Sequence, residues 1–125
     1  MRIEVYTDAD EVAHKAATII AAQAREAVAT RGRFVFAVSG GRTPWLMLRE
    51  LAGEQVPWEK VHLVQVDERV APAEHADRNL THLHESLLTR VPLRPEQVHA
   101  MPVDAPYLEA AAGSYARSRR RAAAR

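Results

Sequence analysis

The sequence contains no cysteine, and this absence excludes several kinds of protein and site. A disulfide framework, a zinc site built on thiolates and a thiol nucleophile are all ruled out, and the composition suits a reducing compartment, so we expect a cytoplasmic protein. No apolar run reaches the roughly 20 residues that cross a bilayer, so we expect no membrane partner. The first residues, Met1–Val5, include an acid and lack an apolar stretch, which predicts no signal peptide.

Metal-ligand spacing is also missing. The six histidines are scattered, and none of them forms an H-E-x-x-H pattern. His82 and His84 are two residues apart, so on a helix they would not share a face. We therefore predict no metal site and no cofactor.

The net charge of +1 conceals an uneven distribution. Residues 1–116 carry ten arginines and two lysines against all sixteen acids, a balance of −4, whereas residues 117–125 add five arginines. This basic tail contains only alanine, arginine and one serine, without the aromatic residues that nucleic-acid sites interleave with basic ones. We expect a solvated or frayed helix end and no nucleic-acid partner. The predicted organisation is a single domain at 1–116 followed by a tail at 117–125.

The pattern of a strand followed by a helix is predicted four times along the 125 residues. This order is typical of an α/β layered fold with a mostly parallel sheet. Strands are predicted at residues 2–6, 33–38, 61–66 and 98–101. The first three helices are predicted to have their N-caps at Asp8 or Asp10, at Thr43 with Pro44 as the first helical residue, and at Asn79. The last helix is predicted to start at Asp104.

Apolar stripes predict which helix faces are buried. The first helix would bury residues at three- and four-residue spacing: Val12, Ala16, Ile19, Ile20, Ala24 and Ala27. The last helix would bury another such set, comprising Tyr107, Leu108, Ala111, Ala112 and Tyr115. Beyond Tyr115 the stripe meets an arginine, so this helix loses its apolar face partway along.

A glycine-rich turn joins the second strand to the second helix. Its residues are Ser39, Gly40, Gly41, Arg42 and Thr43. Backbone N–H groups and the positive end of the helix dipole meet at such a turn, and adjacent glycines let a phosphate approach closely. The alternative is a tight turn in which glycine only satisfies backbone geometry. The segment is not a Walker A loop, a G-x-G-x-x-G fingerprint or a G-x-S-x-G elbow.

A second polar segment, Asp67–Arg69, follows the third strand. The carboxyl ends of parallel strands lie along one edge, so this segment and the glycine-rich turn should open into the same crevice. Arg69 could then grip a phosphate or carboxylate with its planar guanidinium. The alternative is a surface salt-bridge cluster. For Asn79 the first expectation is a helix N-cap, and a ligand contact is the second.

Three segments in this order carry a family resemblance: SGGRTP at 39–44, VDERVAP at 66–72 and DRNL at 77–80. Residues 1–116 thereby resemble the N-terminal half of 6-phosphogluconolactonases, in the family they share with glucosamine-6-phosphate isomerases. The resemblance implies a Rossmann-like layered fold and a sugar-phosphate ligand. It also assigns roles: Gly40, Gly41, Arg42 and Thr43 would line the sugar-phosphate site, Arg69 would contact the anionic substrate, and Asp67 and Asn79 would border the pocket.

The reaction that the resemblance implies is hydrolysis of 6-phosphoglucono-δ-lactone to 6-phosphogluconate in the pentose phosphate pathway. That family places its general-base histidine in a Gly-x-Gly-x-Asp-Gly-His-Thr stretch, which this sequence lacks, and its chains are about twice as long. No catalytic residue is therefore identified. His75 lies in the loop before Asn79, and we do not expect it to replace the base, because nothing in that loop should fix its imidazole.

Several interpretations remain open at this point. The chain could be a truncated or frame-shifted lactonase, which predicts an exposed apolar sheet edge and marginal stability. It could instead be a non-catalytic sugar-phosphate-binding module, or one that a partner chain completes. A deaminase is the other enzymatic alternative, although the deaminase pattern generally puts an aromatic residue where Arg69 stands. The oligomeric state is not predicted.

Overall fold

The computed structural model describes residues 1–124 as an α/β fold with helices packed on a small parallel sheet. Arg125, the last residue of the predicted tail, lies outside this range. The elements in chain order are α1 (Ala9–Arg31), β1 (Phe34–Val38), α2 (Arg42–Ala52), β2 (Val61–Gln65), α3 (Asn79–Leu83), β3 (Val98–His99) and α4 (Leu108–Ala123). A π-helical turn, His84–Leu88, continues α3 directly, and short 3-10 turns at Trp58–Lys60 and Pro95–Gln97 precede β2 and β3.

The three strands are parallel and lie in the order β1-β2-β3. Phe34 pairs with Val61 at one end of β1, and Leu63 pairs with Val98 across β2 and β3. All three strands therefore end at the same edge, which confirms the predicted parallel α/β architecture.

The core lies between the sheet and the helices on one of its faces. Its fully buried side chains are mostly leucines contributed by α2, β2 and the helix that follows Asn79, namely Leu48, Leu51, Leu63, Leu83 and Leu87. This packing holds the N-terminus of α2 against the carboxyl edge of the sheet, where the candidate site lies.

The predicted first strand is wrong. Residues 2–6 form no strand, and Ile3 and Val5 are 73% and 88% exposed. Alternating apolar residues create a strand only where a neighbouring strand accepts the backbone hydrogen bonds, and among residues 1–124 none does so for this segment. Asp8 does cap α1 as expected, since its Oδ1 accepts a 2.8 Å hydrogen bond from the N–H of Glu11.

The buried face of α1 is rotated from the predicted stripe. It consists of alanines only, Ala13, Ala17, Ala21, Ala24 and Ala27, whereas Val12 and Ile19 are largely exposed. Helix α1 packs against α2, and small side chains allow the two helices to approach closely. Ala24 and Ala27 are buried as predicted, whereas the predicted stripe missed the buried alanines at positions 13, 17 and 21.

Three predicted helix starts also differ from the structure. Helix α2 begins at Arg42 rather than at Pro44, and its N-cap is Gly41, without a side-chain cap. Helix α3 begins at Asn79 itself, after the N-cap Arg78. Helix α4 begins at Leu108 rather than at Asp104, because Pro106 disfavours helical backbone at the residue before it.

The basic tail is helical as far as it is described. Helix α4 continues past Tyr115 to Ala123, and Ala122 is buried while the arginines around it are exposed. The guanidinium of Arg33 donates to the carbonyl of Ala122, which ties this end of α4 to the start of β1. The arginines at 119–121 are exposed, as expected for a solvated helix end.

A side chain of helix α4 replaces strand hydrogen bonds beyond the end of β3. The hydroxyl of Tyr115 donates to the carbonyl of Gln65 at 2.6 Å and lies 2.5 Å from its backbone N–H. A buried side chain thus satisfies two backbone groups that a longer β3 would have paired.

No helix within residues 1–124 combines the length and apolar character needed to cross a membrane.

Candidate functional site

The turn between β1 and α2 brings backbone close to another part of the chain. Gly41 has a φ of 125°, in the region that favours glycine. A Cβ added to Gly40 would overlap the side chain of Asn79, so a larger residue there would displace that carboxamide. Gly41 therefore satisfies the backbone geometry of a tight turn, which was one of the two alternatives. The close approach of Asn79 to Gly40 was not predicted.

An open pocket of about 660 Å³ lies at the carboxyl edge of the sheet, between this turn and the segments after β2. Six of the eight predicted site residues line it: Ser39, Gly40, Gly41, Asp67, Arg69 and Asn79. The two segments that the topology was expected to bring together do meet here. Arg42 and Thr43 are outside this lining; Arg42 is exposed at the start of α2, and Thr43 faces a neighbouring groove.

Glu68 organises the side of the pocket away from the turn. Its carboxylate is fully buried and accepts hydrogen bonds from the backbone N–H groups of Asn79 at 2.6 Å, Leu80 at 2.9 Å and Arg69 at 2.7 Å. It therefore caps α3 in place of Asn79, supplying a negative charge where the helix dipole is positive. The predicted side-chain cap at Asn79 is wrong for this reason.

Groups outside α3 also stabilise the negative charge of Glu68. Burial by itself raises its pKa, but the hydrogen bonds from Gln65 Nε2 and from the three backbone N–H groups outweigh burial and lower the pKa to about 2. Arg78, also buried, lies with Nε 3.3 Å from the carboxylate. This contact is an ion pair without an aligned hydrogen bond, since Nε–H has no hydrogen-bond partner among residues 1–124, while Nη1 donates to the carbonyl of Ala71.

The neighbouring carboxylate, Asp67, has a different environment. It is exposed in the pocket, and its Oδ1 accepts a 3.3 Å hydrogen bond from Nδ2 of Asn79. Asp67 and Glu68 follow β2 and diverge, one toward solvent and one into the protein, so they do not act as an acid/base pair, as expected. The surface salt-bridge alternative fails for Glu68, whose ionic partner is Arg78 rather than Arg69.

His75 is held within its own loop. Its Nδ1 accepts a hydrogen bond from the N–H of Asp77 at 3.0 Å, and its carbonyl accepts one from Oγ1 of Thr81. The loop does fix the imidazole, contrary to the sequence-based reason for setting it aside. The ring is nevertheless outside the pocket lining.

Trp45 is a pocket residue that sequence reasoning missed. Its indole stacks on the imidazole of His82, with ring centroids 3.9 Å apart and planes at 18°. Nε2 of His82 lies 2.7 Å from the carbonyl of Ala76, so the stack supports the loop that closes this side of the pocket. The sequence position of Trp45 could have indicated this role, because it lies four residues after Gly41, in the first turn of α2.

Within residues 1–124 no group of three or more potential metal ligands converges. The lining offers glycine backbone open to close approach and the guanidinium of Arg69, which suit an anionic ligand, beside the carboxylates of Asp67 and Asp77.

Comparison with known proteins identifies the family of this chain. The model of the glucosamine-6-phosphate isomerase/6-phosphogluconolactonase family matches residues 7–124. The chain belongs to this family. A 6-phosphogluconolactonase of Mycobacterium leprae is 35% identical over 119 residues, covering 90% of this chain and 48% of the relative. One of Streptomyces coelicolor is 36% identical over 123 residues, covering 92% and 47%.

Solved members of the family share the fold. The 6-phosphogluconolactonase of Thermotoga maritima superposes with a TM-score of 0.82 at 26% identity, over 95% of this chain and 53% of that one. A monomeric glucosamine-6-phosphate deaminase superposes with a TM-score of 0.80 at 19% identity, which bears on the fold alone. The chain spans about half the length of the curated relatives it matches.

Proposed function

We propose that this chain supplies the sugar-phosphate-binding part of a 6-phosphogluconolactonase, an enzyme that hydrolyses 6-phosphoglucono-δ-lactone to 6-phosphogluconate. The observation that carries the proposal is the meeting of the Ser39–Gly41 turn with Arg69 and Asn79 around one pocket. Family membership and the lactonases among the relatives support the choice of substrate.

The proposed roles follow from what lactone hydrolysis requires. The phosphate is held at the Ser39–Gly41 turn, whose glycine backbone lines the pocket. Arg42 and Thr43 lie outside this lining, so the proposal gives them no contact with the phosphate. Arg69 attracts the anionic substrate and stabilises the negative charge that develops on the lactone oxygen. Asp67 orients the carboxamide of Asn79, which borders the sugar.

The remaining requirement is a base that activates water. The described pocket contains aspartates but no histidine. Asp67 is already engaged with Asn79, and Asp77 is largely exposed to solvent beside His75. We therefore propose that residues 1–125 bind the sugar phosphate without hydrolysing the lactone, and that the base belongs to the part of the family fold that this chain does not span.

The test is binding of 6-phosphogluconate, the stable product, measured by calorimetry with Arg69→Ala and the matched variant Arg49→Ala. Arg49 is exposed on α2 and is not among the pocket residues. We expect Arg69→Ala to weaken binding at least tenfold, because loss of a charge-assisted contact costs more than about 1.4 kcal/mol. Equal affinities for the wild type and Arg69→Ala would refute the proposal.

Two further measurements separate the alternatives. Glucosamine 6-phosphate should bind more weakly than 6-phosphogluconate, and the reverse order would favour a deaminase-type ligand. Lactone opening, corrected for the spontaneous reaction, should be unchanged by the chain. Clear turnover that Arg69→Ala abolishes would contradict the assignment of the base to a part outside this chain.

A further inference from the structure

Gln65, the last residue of β2, has a polar side chain that is buried among apolar neighbours. It is 4% exposed, in a strand whose other buried residues are Val61, Leu63 and Val64. A buried amide costs free energy unless its donors and acceptors are paired, so its contacts indicate why a glutamine stands at this position.

The side chain of Gln65 joins two segments that follow neighbouring strands. Its Nε2 donates a 3.0 Å hydrogen bond to Oε2 of Glu68, and its Oε1 accepts one of 2.7 Å from the backbone N–H of Met101, just after β3. The backbone of Gln65 is held separately, because its N–H and its carbonyl both bond to the hydroxyl of Tyr115. Backbone and amide are thus both fixed, so Nε2 is a firmly placed donor to Glu68.

This donor completes the set of groups around the Glu68 carboxylate. Its Oε2 accepts from Gln65 and from the N–H of Leu80. Its Oε1 accepts from the N–H groups of Arg69 and Asn79. Burial raises the pKa of Glu68, and the hydrogen bond from Gln65 is the largest of the contacts that lower it. The orientation of this carboxylate therefore depends on a side chain that is outside the pocket lining.

We propose that Gln65 is a positioning residue for ligand binding, which holds the Glu68 carboxylate so that Arg69 and Asn79 present their side chains to the pocket. The inference rests on the proposed function for the identity of the ligand, a sugar phosphate. Gln65 needs no contact with that ligand, because it acts through Glu68. Binding groups must be held within about 0.5 Å of their productive positions, and side chains packed behind them provide that support.

A buried glutamine can also serve stability alone, and Gln97 is such a residue. It is 1% exposed, and its Nε2 donates to the carbonyls of Trp58 and Val61. Its Oε1 accepts from the N–H of Arg94. These contacts lie at the beginning of β2, whereas Gln65 and the pocket lie at its end. Loss of either amide leaves backbone groups unpaired, so both losses should lower stability, but only that of Gln65 should affect the pocket.

The experiment compares Gln65→Met with Gln97→Met, since methionine fills similar space without an amide. Calorimetry measures the affinity of each variant for 6-phosphogluconate. Amide exchange of the ligand-free proteins measures how firmly the N–H groups of Asn79 and Leu80 are held on Glu68. If Gln65→Met does not fold, Gln65→Asn replaces it, with Gln97→Asn as its control, because an amide one methylene shorter cannot keep both of its contacts.

We expect Gln65→Met to weaken binding at least about tenfold and to speed exchange at Asn79 and Leu80 at least about tenfold relative to Gln97→Met, because a hydrogen bond to a buried charge is lost. Gln97→Met should bind 6-phosphogluconate as wild type does, although it is also destabilised.

Equal exchange at Asn79 and Leu80 in the two variants would overturn the proposal, whatever the affinities. Faster exchange in Gln65→Met with unchanged affinity would also overturn it, because the carboxylate would then move without consequence for the ligand. Failure of wild type to bind 6-phosphogluconate has a different meaning. It would refute the proposed function, and with it the role of Gln65 toward this ligand, while the exchange data would still show whether Gln65 holds Glu68.

Discussion

The buried carboxylate of Glu68 accepts a 2.6 Å hydrogen bond from the backbone N–H of Asn79, eleven residues further along the chain. The bond fixes the N-terminus of α3 to the end of β2. Because the carboxamide of Asn79 reaches Asp67 and packs against Gly40, this one carboxylate sets the geometry of both sides of the pocket.

Glu68→Gln is expected to destabilise the fold by about 3–5 kcal/mol, the cost of leaving one member of a buried ion pair uncompensated. The charge left behind is that of Arg78, which is 4% exposed. Urea unfolding followed by circular dichroism measures the change. Glu59→Gln, at an exposed glutamate, should change the free energy of unfolding by less than about 0.5 kcal/mol. A loss below about 1 kcal/mol for Glu68→Gln would contradict the role assigned to this carboxylate.

Lowering the pH should also reveal how much Glu68 contributes to the free energy of unfolding. The pKa of Glu68 is about 2 in the folded chain against an ordinary value of 4.5, so the unfolded chain binds the proton more readily. Its contribution, on the order of 3 kcal/mol, is fully present above pH 4.5 and is lost as the pH falls toward 2. Urea unfolding at pH 5, 4 and 3 should show wild type losing more stability than Glu68→Gln. Parallel losses in the two proteins would refute this assignment.

Much of the fold and the main site could be predicted from the sequence, because the signals concerned are local or topological. The apolar content of 33–38 and 61–66 predicts β1 and β2. Once these strands are parallel, their carboxyl ends must lie together, and that is sufficient to bring Gly40 and Arg69 to one pocket.

The errors concern groups whose partners are distant in sequence. The alternation at residues 2–6 could not indicate whether a neighbouring strand was present. The cap of α3 comes from Glu68, so reading only the residues adjacent to the helix pointed to Asn79. The spacing within α1 predicted Ala24 and Ala27 correctly, but it could not indicate which of the other small residues face α2.

Gly40→Ala is expected to weaken 6-phosphogluconate binding at least tenfold, because the new Cβ would displace the carboxamide of Asn79. The matched variant is Gly53→Ala at the end of α2, where the nearest atom is 3.6 Å from the added Cβ and φ is −90°. That substitution should leave binding unchanged. Calorimetry of both variants decides the point; unaltered affinity in Gly40→Ala would mean that Asn79 does not shape the site.

Tyr115→Phe is expected to cost about 1–3 kcal/mol of stability, since it leaves the buried N–H and carbonyl of Gln65 without their partner. The aromatic packing is retained, so the loss isolates the hydroxyl. Tyr107→Phe, at a tyrosine that is 77% exposed, should be nearly neutral. The measurement is urea unfolding of both variants beside wild type. If the two variants are equally stable, the hydroxyl of Tyr115 does not replace a missing strand.

Stability should also rise with pH through the range where histidine titrates, because of a pair on β2 and β3. His62 Nδ1 lies 3.0 Å from His99 Nε2, and the two rings stack with centroids 5.3 Å apart. Burial lowers the pKa of both groups, and for His62 the charges of Arg33, His99 and Arg94 lower it further.

Each of these two histidines therefore binds a proton more readily in the unfolded chain, so their neutral forms favour the folded state above pH 6.5, and that preference is lost as the pH falls below it. Urea unfolding between pH 7.5 and 5.5 should give a smaller loss of stability for His62→Gln than for wild type. His84→Gln, at an exposed histidine, should follow the wild-type profile. The prediction fails if His62→Gln and His84→Gln show the same dependence on pH, because the pair would then add nothing beyond an ordinary surface histidine.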